Sequence, residues 1–321
     1  GFGEFEKFCD SIGLLLDAKD DGRVYPLSNE AKSVASLLIA HAKNLGVNFH
    51  TDTKITDITE LLNKYDSVVV ATGSEAASHL GGNRDGLEFA EVFGHNIVPT
   101  YPSLVQLHLT SLIAKKMSGT KIEGEVTLLI NNKKELASSG DILFTDYGVS
   151  GFAVLDISQM ASAALMEFSK VDIAVNLLPA FNAQKLSNHI TKTALSLPEF
   201  TITEILIGLI PSKIASGVLE ELKLPASFCG KNIDIKLSKK IANQMLNWRF
   251  EVSGTHGFRH AEVAGGGVDT TEINPKTFES LKQKNLYFCG EVLDVVGRRG
   301  GYNFAFAWAG GYLAARDITK A

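Results

Sequence analysis

Several features that often betray a function are scarce in this chain. It has 3 cysteines in 321 residues. Cys9, Cys229 and Cys289 are widely spaced, odd in number and form no CxxC, so neither a disulfide framework nor a thiolate zinc site follows. A reducing, cytoplasmic compartment is the expectation. Positive charge is short as well: 31 Lys and Arg stand against 36 Asp and Glu, for a net charge of −5 and a pI of about 5.9. The basic runs are only pairs, such as Lys115-Lys116 and Arg298-Arg299. On that balance no nucleic-acid partner is expected, because such proteins usually present a basic domain or stripe. No apolar run reaches the roughly 18 residues of a membrane span, so no membrane partner is expected either. Glu4, Glu6, Lys7 and Asp10 rule out a signal peptide in the first ten residues. There is no GxSxG elbow, no Walker A loop and no internal repeat.

Glycine is mildly enriched, with 29 residues, and it is clustered. Ser28 reads as an N-cap for a helix with the apolar stripe Val34, Leu37, Leu38 and Ala42, closed by Gly46. Val47–His50 and Lys54–Ile58 read as strands. Ser67–Ala71 is almost wholly apolar, as a strand covered on both faces should be, and it runs into Thr72-Gly73-Ser74. Strand ends of this kind are where open α/β sheets bind ligands. After Pro99 and Pro102 the texture changes. Strands are expected at Glu125–Asn131, Asp141–Thr145 and Val171–Leu178, and helices at Ser158–Lys170, Asn182–Leu197, Thr203–Leu222 (broken near Pro211) and Ser238–Trp248. Glycine returns at Gly265-Gly266-Gly267, before the apolar strand Leu286–Cys289 and a final helix over Asn303–Asp317. The economical organisation is one α/β domain built from segments 1–101 and 256–321, interrupted by an inserted mixed β/α domain at 102–255.

The C-terminal stretch carries the clearest chemistry. A buried strand delivers Glu291 at its carboxyl end, with Asp294 close behind; the loop Gly297–Gly301 lets backbone approach a ligand, and a helix then begins with its positive dipole end facing the same place. A carboxylate beside a helix N-terminus suits a polyol joined to an electron-rich ring, which are the properties of a flavin with its ribityl chain. A plain structural turn is the competing reading. The small residues Ala305, Ala307, Ala309, Gly310, Gly311, Ala314 and Ala315 fit close packing against a sheet as well as contact with a cofactor. Arg23, in the loop Gly22–Ser28, could hold a phosphate or carboxylate, or a surface ion pair. His256 and His260 are four apart, but Gly254 and Gly257 argue against a helix there, so a zinc site is rejected. Tyr147 and His256 sit in motif-like loops and are the candidates for acid–base work, with a structural role the alternative for each.

Taken together, Gly22–Ser28, Val69–Gly73, Gly140–Gly151, Gly265–Val268, and Gly290–Asp294 through Gly300–Asn303 resemble the BaiN/YhiN-like family of FAD-dependent oxidoreductases, which includes aminoacetone-oxidase-like flavoproteins. The resemblance implies an FAD/NAD(P)-binding Rossmann-like domain with an insert, and hydride transfer between flavin and a small-molecule substrate, with NAD(P)H as a further redox partner. It places Thr72 and Gly73 near the FAD diphosphate or adenosine, Ile55 at the adenine through its backbone, and Gly290, Glu291 and Asp294 at the ribityl chain. Gly300, Gly301, Tyr302 and Asn303 would present backbone to the flavin pyrimidine edge. Family members open with a strand, a GxGxxG loop and a helix that cradle the pyrophosphate. This sequence contains no GxGxxG, so it is read as a member lacking that N-terminal segment, expected to hold FAD weakly. A non-catalytic remnant or binding module is the alternative. Ser74-Glu75-Ala76 also departs from the family's more glycine-rich run. Oligomeric state and substrate are not legible.

Overall fold

The computed structural model describes residues 1–20 and 22–320; Asp21 and Ala321 lie outside the described residues. The chain opens with α1 (Phe2–Ser11), the hairpin β1 (Leu16–Ala18) and β2 (Val24–Pro26), α2 (Ala31–Asn44), α3 (Ile58–Lys64), β3 (Val68–Val70), α4 (Asp85–Val92) and β4 (Ile97–Ser103). Its middle holds β5 (Leu107–Leu109), α5 (Leu112–Lys116), β6 (Lys121–Ile130), β7 (Lys133–Phe144), β8 (Gly148–Ser150), α6 (Phe152–Met166) and β9 (Val171–Asn176). The helices α7 (Ala183–Ser196), α8 (Ile202–Ile207), α9 (Ser212–Glu221) and α10 (Ile235–Leu246) follow, then β10 (Trp248–Thr255). The chain ends with β11 (Val263–Val268), β12 (Leu286–Phe288) and α11 (Tyr302–Ile318).

Strands β5 to β10 close into a barrel in the order β10-β5-β8-β7-β6-β9. Period-two patterning drives it. Along β10, Trp248, Phe250 and Val252 point inward and are buried, while Arg249 and Glu251 are exposed. These side chains share one core with Val126, Leu128, Ile142, Phe144 and Ile173, and with the inner stripes of α6, α7, α9 and α10. The other lobe is stitched from short ladders. β3 pairs in parallel with β12, Val70 beside Phe288. β4 pairs antiparallel with β11, with a register shift between Gly265 and Gly267. Its core includes Ile58, Val70, Leu87, Phe288, Val292 and Ala314. α1 docks on α11, where Phe5 and Phe8 meet Trp308 at 5.2 and 5.8 Å between ring centroids.

Several local expectations are corrected. Residues 47–50 and 54–57 join no ladder among the described residues. Ile58 opens a helix instead, because Asp57 caps it by accepting the Thr59 N–H at 2.8 Å. The N-cap of α2 is Glu30, not Ser28. The strand at 67–71 shortens to Val68–Val70 and is covered on one face only, since Val69 remains 43% exposed. β6 and β7 start earlier than expected: the hairpin turning at Asn131 and Asn132, both with positive φ, leaves its tip wet on both faces, so Lys133–Leu136 carry no apolar alternation. The final helix, the break at Pro211 and the helix at Asn182–Leu197 fall close to where the pattern places them.

Candidate functional site

The site is built where β3 and β12 end side by side. The turn after β3 brings Ser74 back across the sheet, and its Oγ donates to Glu291 Oε1 at 2.5 Å. The Ala264 N–H of β11 donates to the same oxygen at 2.7 Å. Both bonds fall on Oε1, so Oε2 of this largely buried carboxyl keeps its accepting capacity. Burial pushes the Glu291 carboxyl up from the ordinary range, against the lowering effect of the two hydrogen bonds. Asp294 accepts the Gly266 N–H at 3.1 Å and is likewise raised by burial. The departure at Ser74-Glu75-Ala76 has a purpose: Ser74 Oγ also accepts the Ala76 N–H at 3.1 Å, and Glu75 reaches Arg84 at 3.3 Å.

The triglycine of β11 makes this approach possible. A Cβ on Gly266, at φ +76°, would lie 2.3 Å from the Pro99 carbonyl oxygen, and one on Gly265 would lie within the Tyr101 ring. Only bare backbone lets β11 run against β4 and still hand its amides to the two acids. Gly290 has φ +75° and packs on Ala307 of α11. Gly310 accepts the face of Phe278. Thr72 rests on Gly86 of α4.

Asn303 closes the loop that precedes α11. Its Oδ1 accepts the Gly297 N–H at 2.7 Å and its Nδ2 donates to the Gly297 carbonyl at 3.1 Å. Gly300 and Gly301 have φ +115° and +94°. Arg23 lies beside Gly300, which brings the β1–β2 hairpin to the same loop. Arg299 crosses to the barrel: its Nε and Nη2 each donate to Asp156 of α6 at 3.1 Å, and its guanidinium stacks over Phe152 at 3.9 Å. An open recess of about 260 Å³ adjoins this pair, lined by Tyr101, Leu136, Asp156, Gln159, Met160 and Ala163. Ile55 is half-buried in the segment between α2 and α3, and Tyr302 is 62% exposed; neither is drawn to the acids by a hydrogen bond.

Tyr147 and His256, named from sequence, stack at 4.1 Å. The structure adds His108, which sequence reading missed, and brings in His260, which the sequence offered only as a rejected zinc ligand. His108 Nε2 lies 2.8 Å from His256 Nδ1, and the His260 ring is 4.2 Å from that of His256. Burial and the two neighbouring histidines lower the His256 pKa. His108 gave no local signal, since it sits on β5 almost 150 residues away.

Two parallel strand ends, a glycine turn opening a long helix and an acid between them define a Rossmann-type α/β protein. The chain belongs to the HI0933-like family: it matches the HI0933-like protein Rossmann domain over residues 3–317. This is an FAD-binding flavoprotein family, the one its motifs resemble. Its relatives include a 3-dehydro-bile acid delta(4,6)-reductase of Clostridium scindens, 30% identical over all of this chain and 81% of the relative. Two others are ribosomal RNA dihydrouridine synthases. That of Haemophilus influenzae is 34% identical over 99% of this chain and 80% of its own length, and that of Escherichia coli 29% over 98% and 74%. These two names overturn the exclusion of nucleic acid drawn from the acidic pI. A net charge averages over the whole surface and says nothing of where the lysines sit. Among the described residues no helix is long and apolar enough to cross a membrane.

The residues present fit FAD. Glu291 has an accepting oxygen in a half-buried setting, and a Cβ on Gly73 or Gly301 would meet nothing within 4 Å, so the backbone at both turns faces open space.

Proposed function

We propose that the protein is a flavin-dependent reductase that adds hydrogen to an unsaturated ring, with FAD across the ends of β3 and β12 and NAD(P)H as external reductant. The observation that carries this reading is Glu291, half-buried at a strand end with both hydrogen bonds on one oxygen. FAD supplies the two-electron chemistry, and the protein supplies position and electrostatics. Glu291 Oε2 accepts a ribityl hydroxyl, with Gly290 and Asp294 beside it. Thr72 and Gly73 border the diphosphate, and Ile55 meets the adenine. Gly300, Gly301, Tyr302 and Asn303 offer backbone and the positive end of α11 to the pyrimidine edge, which favours negative charge there. Residues 102–255 act as an inserted unit walling the substrate side, with the recess at Asp156 receiving the ring and Tyr147 and His256 taking the acid–base work. The relatives' names support the reaction class, since a delta(4,6)-reductase and a dihydrouridine synthase both add hydrogen to ring double bonds. The relative with 34% identity acts on RNA, and an RNA-borne ring is the reading adopted for this chain.

FAD titration followed by fluorescence tests it. A hydrogen bond to a charged group contributes roughly 1.5–3 kcal/mol, so Glu291→Ala should weaken FAD binding about ten- to a hundredfold. Gly301→Val should weaken it further, because a branched side chain at φ +94° is strained and fills the open space. Unchanged FAD affinity in Glu291→Ala would remove the assignment and leave Asp294 as the acid to test.

A further inference from the structure

We propose that the exposed faces of α7 and α10 form a docking surface for the phosphate backbone of RNA, a proposal that rests on the reading of an RNA-borne substrate. The charge of the chain is unevenly divided. Residues 107–255 hold fifteen Lys and Arg against fourteen Asp and Glu, so the acidic excess lies wholly in the other lobe. Within the barrel lobe the basic charge gathers further. α7 and α10 together contain five lysines (Lys185, Lys192, Lys236, Lys239 and Lys240) and not one acidic residue.

The two helices pack against each other, and both bury their inner stripes in the barrel core, Leu186, Ile190 and Ala194 beside Ile241, Ala242 and Met245. Their outer faces therefore form one surface. All five lysines are exposed there, with Gln184, Asn188, His189 and Asn243 between them. Elsewhere lysines are commonly paired, as in Lys116–Glu220, Lys121–Asp141 and Lys282–Glu272. Among the described residues none of these five is within ion-pair distance of a carboxylate; Lys185 lies over the Phe181 ring instead. The nearest acid, Asp234, is engaged as the cap of α10, accepting the Leu237 N–H at 2.7 Å.

Unpaired ammonium groups spaced among amide and imidazole donors match a polyphosphate backbone, whose oxygens take most such contacts. A groove of about 420 Å³ runs between the helices past Leu195 and Ile235, 76% and 63% exposed. Its lining also holds Thr191, Ile233, Lys236 and the capping Asp234, and its exposed apolar side chains can take an unstacked base, which single-stranded RNA offers readily. The two helices belong to the lobe proposed above to wall the substrate side.

Anisotropy of a fluorescein-labelled RNA stem-loop, titrated with protein over a range of salt, tests this. Removing one lysine–phosphate interaction should lower the slope of log affinity against log salt by roughly 0.7–0.9, so Lys236→Gln/Lys239→Gln/Lys240→Gln should flatten it by about 2 and weaken binding about tenfold. Lys185→Gln/Lys192→Gln should do the same to a smaller degree, and Lys284→Gln, on the other lobe, should change nothing. Far-UV circular dichroism confirms that the variants fold. No RNA binding by the unaltered protein, or an unchanged slope in both variants, overturns the proposal. So does preferential binding to phosphatidylglycerol vesicles that RNA does not compete away, which would make the face a lipid surface. FAD titration in parallel separates the two readings. A protein that fails to bind FAD but shows the lysine-dependent slope loses the reductase reading alone; one that binds FAD with an unresponsive slope loses the docking surface alone.

Discussion

The two lobes reach stability by different routes. In the barrel every strand has a neighbour on both sides, although β7 meets β8 only through Leu143 and Phe144, so closure removes most of the open edge. Among the described residues the other lobe has only two-stranded ladders, joined by a hydrophobic core and by side chains that reach across, such as Ser74 to Glu291. Both lobes leave apolar side chains exposed, Leu45 at 71% in one and Phe168 at 97% in the other, so the difference lies in the strand pairing. The lobe that carries the candidate site is the one with fewer strand neighbours, consistent with binding regions being drawn from the less stable parts of a fold.

The comparison can be broken most sharply from the barrel side. Trp248 is fully enclosed, and its ring packs 5.0 Å from Phe250. Trp248→Ala should cost about 3–5 kcal/mol, a large share of the stability of a domain. Calorimetry should show the barrel transition moving down strongly while the lobe of β3 and β12 melts near its original temperature. A single transition shifting as a whole would mean that the lobes unfold as one.

An effect of intermediate size concerns His95, which joins α4 and β4. Its Nδ1 lies 3.0 Å from Glu272 and its Nε2 2.7 Å from Ser280. Burial holds its pKa below the ordinary imidazole range, so the unfolded chain binds more protons than the folded one near and below that range. Stability should fall as pH drops through the ordinary histidine range, and His95→Gln should flatten that dependence. Glu291 acts oppositely. Its raised pKa means the folded state keeps the proton longer, so stability should decline as pH rises above the usual glutamate range. Melting temperatures of His95→Gln and Glu291→Ala across pH check both signs.

The smallest effect is expected between the lobes. Arg299 and Asp156 are each about a quarter exposed, so solvent screens the pair in part. Asp156→Asn should cost only about 1 kcal/mol even with two-pronged geometry. Urea midpoints measure it, and a drop several times larger would show that this pair, not backbone continuity, holds the lobes in register.

Much of this was legible in the sequence. The acid after an apolar strand, the clustered glycines and the final small-residue helix marked the strand end, the turns and the helix around Glu291, because short-range patterning encodes strand ends and turns. The partners of that acid were not legible. Ser74 is 217 residues from Glu291, and nothing local marks an oxygen that will cross a sheet. The stack of Tyr147 with His256 was half visible, but His108 enters it only through barrel closure. Barrel closure itself hid in β7, whose wet hairpin tip erased the alternation that names a strand. The lysines of α7 and α10 were invisible to a whole-chain charge for a simpler reason, since acids elsewhere on both lobes cancel them.

The double grip of Asn303 on Gly297 bears on kinetics. With both backbone groups of Gly297 held by one side chain, the seven residues from 297 to 303 form a closed ring before any ligand arrives. Fixing backbone costs about 1–2 kcal/mol per residue, and here that entropy is lost during folding, not at the moment of encounter. A ligand meeting this loop finds its amides already aimed, so association should run near the rate set by diffusion and orientation, and differences in affinity among loop variants should appear in how fast the ligand leaves.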